Sequence, residues 1–189
     1  MKHSMSGKAL AVLVAVVLLI GCAVGGTVAW LVAKGGTITN TFTVGNIKVS
    51  LYETDRSYHI VPGVDIAKDP RAVVEADSED CYLFVEVDEK NWPKFTEQDG
   101  TTRKVDYKLA EGWTKLKDGV YYLEVSKSTE NQIFQILKDN KVTVSKNLTK
   151  AEVDTVKDQQ PKLAFTVYAV QKEGVKTAAE AWEIAMGNK

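Results

Sequence analysis

The stretch LAFTVYAVQ, residues 163–171, decides the fold class of this chain of 189 residues. Apolar side chains occupy every second position in it, at Leu163, Phe165, Val167 and Ala169. Successive side chains of a strand point to opposite faces, so this spacing predicts a strand with a buried face. A chain that contains one such strand needs others to pair with it, and the same period locates them.

The alternation recurs along most of the chain. Strong candidates are 47–52, 81–88, 120–125 and 141–145, and shorter ones are 37–44, 59–61, 71–76 and 107–109. Short strands separated by turn residues, without long helices between them, are typical of an all-β fold rather than a parallel α/β sheet. We therefore predict an antiparallel β-sandwich over residues 45–189.

Two short helices are predicted within this domain by capping boxes. In each box a Thr hydroxyl accepts a backbone N–H, and the Glu three residues later reaches back to the Thr. The first box pairs Thr149 with Glu152, and the second pairs Thr177 with Glu180. The first helix is polar and ends before Pro161, which indicates a surface connector. The second is more apolar, and we expect it to pack on one end of the sandwich.

An uncharged and largely apolar segment over residues 9–33 precedes the strands, with Lys2 and Lys8 before it. Small residues, among them three glycines, interrupt its second half. A basic start, an apolar run and then small residues are typical of a cleavable secretory signal peptide. We predict a signal helix over 1–29, with cleavage between Ala29 and Trp30, and therefore a secreted protein.

Two other interpretations of this segment remain open. About 20 apolar residues could also span a membrane. The tetrapeptide LIGC, which ends at Cys22, has the form of a bacterial lipobox, in which Cys22 would carry a lipid. The residues after Cys22 stay apolar, whereas a lipid anchor is normally followed by a polar linker, so cleavage after Ala29 remains our main prediction.

The composition excludes several classes of function. Lys and Arg number 24 against 25 Asp and Glu, and no run of basic residues occurs, so nothing indicates binding to nucleic acid. Two Cys and two His in the whole chain supply neither a usual four-ligand zinc site nor a scaffold of several disulfides.

No catalytic arrangement is recognisable. His59 is the single histidine after the predicted cleavage site, and neither H-E-x-x-H nor G-x-S-x-G occurs. Acidic residues cluster at 75–80 without the spacing of a calcium loop, which favours a solvated loop. Cys81 alternates with apolar residues, so we predict a buried and inert thiol. The sequence predicts no catalytic residue, metal site or cofactor. Three tryptophans could line a carbohydrate site, but scattered aromatic residues are more typical of core or edge positions; they are Trp92, Trp113 and Trp182.

A series of short motifs, in this order and spacing, resembles the TasA/camelysin family of Gram-positive, often spore-forming bacteria. The motifs are GGTVAW at 25–30, TNTFTVG at 39–45, VPG at 61–63, KDP at 68–70, SEDCYLFV at 78–85 and YAVQ at 168–171. Each is weakly specific alone, but together they cover nearly the whole chain. The chain is most similar to the short clostridial members that carry a SipW-dependent signal peptide.

The resemblance implies a jelly-roll fold, export through a SipW-type signal peptidase and location in the extracellular matrix or at the cell surface. For TasA it implies biofilm matrix fibres that form when each subunit donates an N-terminal strand to the next, in some cases with an accessory matrix subunit. The corresponding segment here is 30–44, in which Gly35 and Gly36 form a flexible joint. Its candidate self-assembly residues are Leu31, Val32, Ile38, Phe42 and Val44.

Two alternatives accompany this prediction. Camelysin, the other family namesake, implies a cell-surface metalloendopeptidase, but this chain has no zinc-binding motif. A monomeric surface protein, or a lipid-anchored one, is the other alternative, in which residues 30–33 fold back into their own sandwich.

Overall fold

The computed structural model describes residues 41–44, 46–54 and 59–187, and these belong to one compact unit. The predicted signal helix at 1–29 lies outside the described residues. The described residues contain two helices, α1 (Lys150–Gln159) and α2 (Ala178–Gly187). The strands are β1 (Thr41–Val44), β2 (Val49–Tyr52), β3 (Ile66–Ala67), β4 (Arg71–Val74), β5 (Cys81–Lys90), β6 (Val105–Leu109), β7 (Thr114–Lys117), β8 (Val120–Val125), β9 (Gln132–Gln135), β10 (Leu137–Val144) and β11 (Lys162–Gln171).

The prediction of an all-β fold with two short helices is confirmed. The strands β5, β8 and β11 lie where the alternating pattern placed them. The strand expected over 59–61 was wrong, because Val61 forms only an isolated bridge to Val64. Three short strands were not predicted, namely β3, β7 and β9.

The strands form one five-stranded sheet, in the order β1-β11-β5-β8-β7, and two three-stranded sheets, β3-β10-β6 and β2-β4-β9. The long strands β5 and β11 pair in antiparallel fashion along their whole length, from Lys162 opposite Lys90 to Gln171 opposite Cys81. One pair differs from the predicted antiparallel arrangement, because β1 runs parallel to β11. A parallel pair cannot close through a tight hairpin, and here almost the entire domain connects the two strands.

The main core lies between one face of the five-stranded sheet and both three-stranded sheets. The large sheet contributes alternate residues, among them Leu83, Val85, Phe165 and Val167. The smaller sheets contribute Ala72, Val74, Val105, Val142 and Val144 to the same cluster. The three sheets therefore form two layers around shared apolar side chains.

The opposite face of the five-stranded sheet is also buried, because α2 lies on it. The ring of Trp182 packs 5.3 Å from the ring of Phe84 and 5.2 Å from that of Tyr168, measured between centroids. Ala181 and Ala185 join the same cluster. We expected this helix at one end of the sandwich; it covers a sheet face instead. This cover explains why five consecutive residues of β5, from Cys81 to Val85, are all buried.

The first predicted capping box is confirmed in both directions. The Thr149 hydroxyl accepts from the Glu152 N–H, and the Glu152 carboxylate accepts from the Thr149 N–H. At the second helix the Thr177 hydroxyl accepts from the Glu180 N–H, but the Glu180 carboxylate accepts from the N–H of Lys176. The Glu180 carboxylate thus accepts from the residue before Thr177, whereas the capping box predicts Thr177 itself as the donor.

Candidate self-assembly edge

Among the strands that the structure describes, β1 forms one end of the five-stranded sheet and pairs with β11. The register places Thr41 opposite Val167 and Val44 opposite Val170. These two candidate self-assembly positions, Phe42 and Val44, therefore lie within a strand that completes the edge of β11.

The chain is fixed to the domain immediately after β1. The Asn46 N–H donates to the Gln171 side chain at 3.4 Å, and the Asn46 carbonyl accepts from Glu79 at 3.3 Å. Two residues on, the Lys48 N–H donates to the Ser78 hydroxyl at 3.1 Å, and Ile47 between them is buried. If β1 moved away from the β11 edge, the direction of the chain would consequently have to change between Val44 and Asn46.

The edge that β1 covers is unusually apolar. Val167, Ala169 and Val170 of β11 are almost completely buried, and so is the ring of Tyr168. An open edge of this kind would offer unpaired backbone groups beside apolar side chains, which favours pairing with another chain. A strand at this position therefore shields the β11 edge from pairing with another chain.

The other sheet edges differ from this one. At the far end of the five-stranded sheet, β7 carries Lys115 and Lys117, and charged edge residues discourage pairing with a second chain. At β9 the indole N–H of Trp113 donates to the carbonyl of Gln135 at 2.8 Å. Ile133 on the same strand is 62% exposed. Sequence analysis missed both edges, because neither strand shows a period of two over enough residues.

Most of the predicted assembly and processing residues lie outside the described residues, namely Cys22, Ala29, Trp30, Leu31, Val32 and Ile38. Among the residues that the structure does describe, no helix has the length and apolar character needed to cross a membrane.

Cys81 is fully buried, as the alternation predicted. Burial, with a smaller effect of the nearby Asp80 carboxylate, raises the pKa of its thiol to about 12. Since the thiolate is the nucleophilic form, the burial of Cys81 and the raised pKa of its thiol support the prediction of an unreactive cysteine.

The acidic residues before β5 are engaged with a lysine and with the backbone. The Lys127 ammonium lies 2.8 Å from the Glu79 carboxylate, and the Lys127 N–H donates to Asp80 at 2.7 Å. In the part of the chain that the structure describes, no group of three or more His, Cys, Asp or Glu is arranged to hold a metal ion.

The three tryptophans of the domain have structural contacts. Trp182 lies in the cluster beneath α2, and the indole N–H groups of Trp92 and Trp113 donate to backbone carbonyls. Trp92 also packs its ring edge-on against that of Tyr107, with centroids 6.0 Å apart.

No protein-family model matches the chain, and neither a curated protein nor a solved structure does. The resemblance to the TasA/camelysin family therefore rests on the motifs in the sequence.

Proposed function

We propose that the chain is a secreted structural protein of the cell surface or biofilm matrix, a TasA-like jelly-roll subunit that assembles when neighbours exchange their N-terminal strands. The observation that carries this proposal is the position of β1. It is the first described strand, and it lies at one end of the five-stranded sheet, where it pairs with the buried strand β11.

Strand exchange preserves the pairing seen within one chain. If β1 of a neighbour occupied the edge of β11, the same four register pairs would form between two chains. The pairing of β1 with its own chain and its pairing with a neighbour then differ in free energy for two main reasons, as in domain swapping. One is the conformation of the turn at 44–46, and the other is the protein concentration. High local concentration after export favours the exchanged form.

The N-terminal residues supply a further driving force. Cleavage after Ala29 would leave Trp30, Leu31 and Val32 at the new N-terminus, followed by the Gly35-Gly36 joint. Apolar residues at the end of a chain lower their free energy when they add to a sheet of another molecule. We propose a SipW-type signal peptidase as the processing partner and an accessory matrix subunit as a further partner.

Assembly of the mature chain 30–189 tests this function. We expect it to form filaments with time at high concentration, seen by light scattering and electron microscopy, whereas a chain that begins at residue 39 stays monomeric. The double substitution Leu31→Asp with Val32→Asp should also stop assembly in the full mature chain. Mass spectrometry of the secreted protein should show Trp30 as its first residue.

A control substitution distinguishes assembly through the β1 edge from assembly through the β9 edge. Ile133→Asp places a charge on the exposed edge strand β9 and should leave filament formation unchanged. If Ile133→Asp blocks assembly while the two N-terminal changes do not, the subunits associate through β9 and strand donation is wrong.

The monomeric surface protein is the competing function, and one observation favours it. In the single chain β1 already pairs with its own β11, so the domain is complete without a neighbour. A mature chain that remains monomeric at millimolar concentration, at pH 5 and pH 7, would establish this alternative.

A further inference from the structure

The helix α2 lies over the part of the five-stranded sheet that contains β1. It contacts three strands that are neighbours in the sheet order, β1, β11 and β5. It covers the face opposite the main core, whereas β2, which also contacts β1, contributes Val49 to that core. The strand β1 is therefore contacted from both sides of the sheet, in addition to its pairing with β11.

The side chains that hold α2 on the sheet lie level with the β1–β11 pair. Tyr168 of β11 lies opposite Phe42, and Val170 lies opposite Val44. Both Tyr168 and Val170 belong to the apolar cluster beneath α2. The ring of Tyr168 also meets that of Trp182, with centroids 5.2 Å apart. The residues of β11 that pair with β1 are thus the ones on which α2 packs.

The helical structure of α2 depends on this packing. The helix has ten residues, and isolated helices of that length are marginal in water. Apolar side chains attach it to the sheet, and the buried indole N–H of Trp182 donates to no atom of the described residues. If α2 left the sheet, it would therefore unfold at the same time. Small cooperative units of this kind can open without unfolding of the whole domain.

We infer that α2 acts as a clamp over β1 and must open before β1 can leave β11. This inference rests on the proposed function and specifies how strand exchange is controlled. A β1 strand from a neighbour, in the same register, would lie beneath the same helix. Because α2 contacts the strand equally in both arrangements, it does not shift the equilibrium between them. It controls the rate of strand exchange and leaves the final amount of assembly unchanged.

Glu183 is a position at which the clamp can be weakened without a change in its apolar contacts. It lies in the interior of α2, and its side chain is exposed. Glu183→Gly lowers the helix propensity, whereas Glu183→Gln removes the same charge and keeps a good helix former. Asp154→Gly, at an exposed position within α1, controls for a general loss of helix stability. Each substitution is made in the mature chain 30–189.

The first measurement is residue-resolved amide hydrogen exchange, at a concentration at which the chain is monomeric. We expect Glu183→Gly to raise the exchange rate of the β1 amides at 41–44 at least twofold and to leave those of β10 unchanged. Glu183→Gln and Asp154→Gly should exchange like the unsubstituted chain. Equal exchange at 41–44 in the two Glu183 variants, or an equal increase in Asp154→Gly, would overturn the inference.

The second measurement is the growth of filaments, followed by light scattering. Glu183→Gly should reach half of its final signal in at most half the time that Glu183→Gln needs, and the final signals should agree. A changed final signal at an unchanged rate would overturn the inference. If no variant assembles at any concentration, the proposed function is wrong, and amide exchange alone then decides whether α2 holds β1 in place.

Discussion

The ring of Trp182 meets the ring of Tyr168 edge-on, with centroids 5.2 Å apart and planes at 84°. This contact joins α2, at the end of the chain, to β11, the strand with which β1 pairs. The indole N–H of Trp182 is buried and donates to no atom of the described residues, so the side chain acts through its apolar surface.

Trp182→Ala should therefore be one of the most damaging substitutions in the domain. Loss of a fully buried aromatic side chain costs about 3–5 kcal/mol of unfolding free energy. Trp182→Phe keeps a ring in the cluster and removes the unpaired donor, so we expect a clearly smaller loss. Urea denaturation measures both, and Ile133→Ala, at an exposed position, should change stability by less than about 0.5 kcal/mol.

The capping box of α1 provides a second prediction. Thr149→Ala removes the hydroxyl that accepts from the Glu152 N–H, and loss of such a cap costs about 1 kcal/mol. The matched control is Thr155→Ala, which removes the same atoms within the same helix, where the hydroxyl only donates to the Ala151 carbonyl. An equal loss in both variants, measured by thermal unfolding, would contradict a capping role.

Cys81 should react with a thiol reagent only when the domain unfolds. The rate of labelling of the folded protein at pH 8 should be at least a hundredfold below that of the urea-unfolded chain. Rapid labelling without denaturant would show that the strand opens locally or that the thiol is exposed.

The same thiol should make stability depend on alkaline pH. Its pKa is raised from an ordinary value near 9.0 to about 12 in the fold, so the unfolded chain loses this proton first. The stabilisation is complete below pH 9 and is lost as the pH rises toward 12. Between pH 9 and pH 11 the unfolding free energy of the native chain should therefore fall relative to that of Cys81→Ala. If the unfolding free energies of the two proteins depend on pH in the same way, the pKa of Cys81 is not raised by folding.

Lys68 and Glu53 form an ion pair that is largely removed from water. Their side chains are 6% and 13% exposed, and the Lys68 ammonium lies 5.4 Å from the centroid of the Phe165 ring. Lys68→Met removes the cation from the half-buried Glu53 carboxylate and should cost about 3–5 kcal/mol.

Adding Glu53→Gln to that variant should recover part of the loss, because the half-buried negative charge is then gone. Lys115→Met, in the exposed pair with Asp118, is the matched control and should have no measurable effect. A double variant no more stable than Lys68→Met would show that the charge of Glu53 is not the cause.

The sequence predicted those elements whose pattern is local. A period of two located β8 and β11, and one capping box located the start of α1 correctly at Thr149. The short strands β7 and β9 escaped prediction, because residues such as Lys115 and Gln135 become strand residues only through the neighbour that pairs with them. The run from Cys81 to Val85 was interpreted as buried on one face, and its second face is buried only because α2 covers it.

The sequence by itself determined which residues alternate between core and surface and where helices begin, since both depend on side chains a few positions apart. Only the tertiary structure decided that β1 runs parallel to β11 and that Trp182 lies on a sheet face. Alternation tells which face of a strand is apolar but contains no information about its partner or direction. Those are selected by packing between residues far apart in the chain.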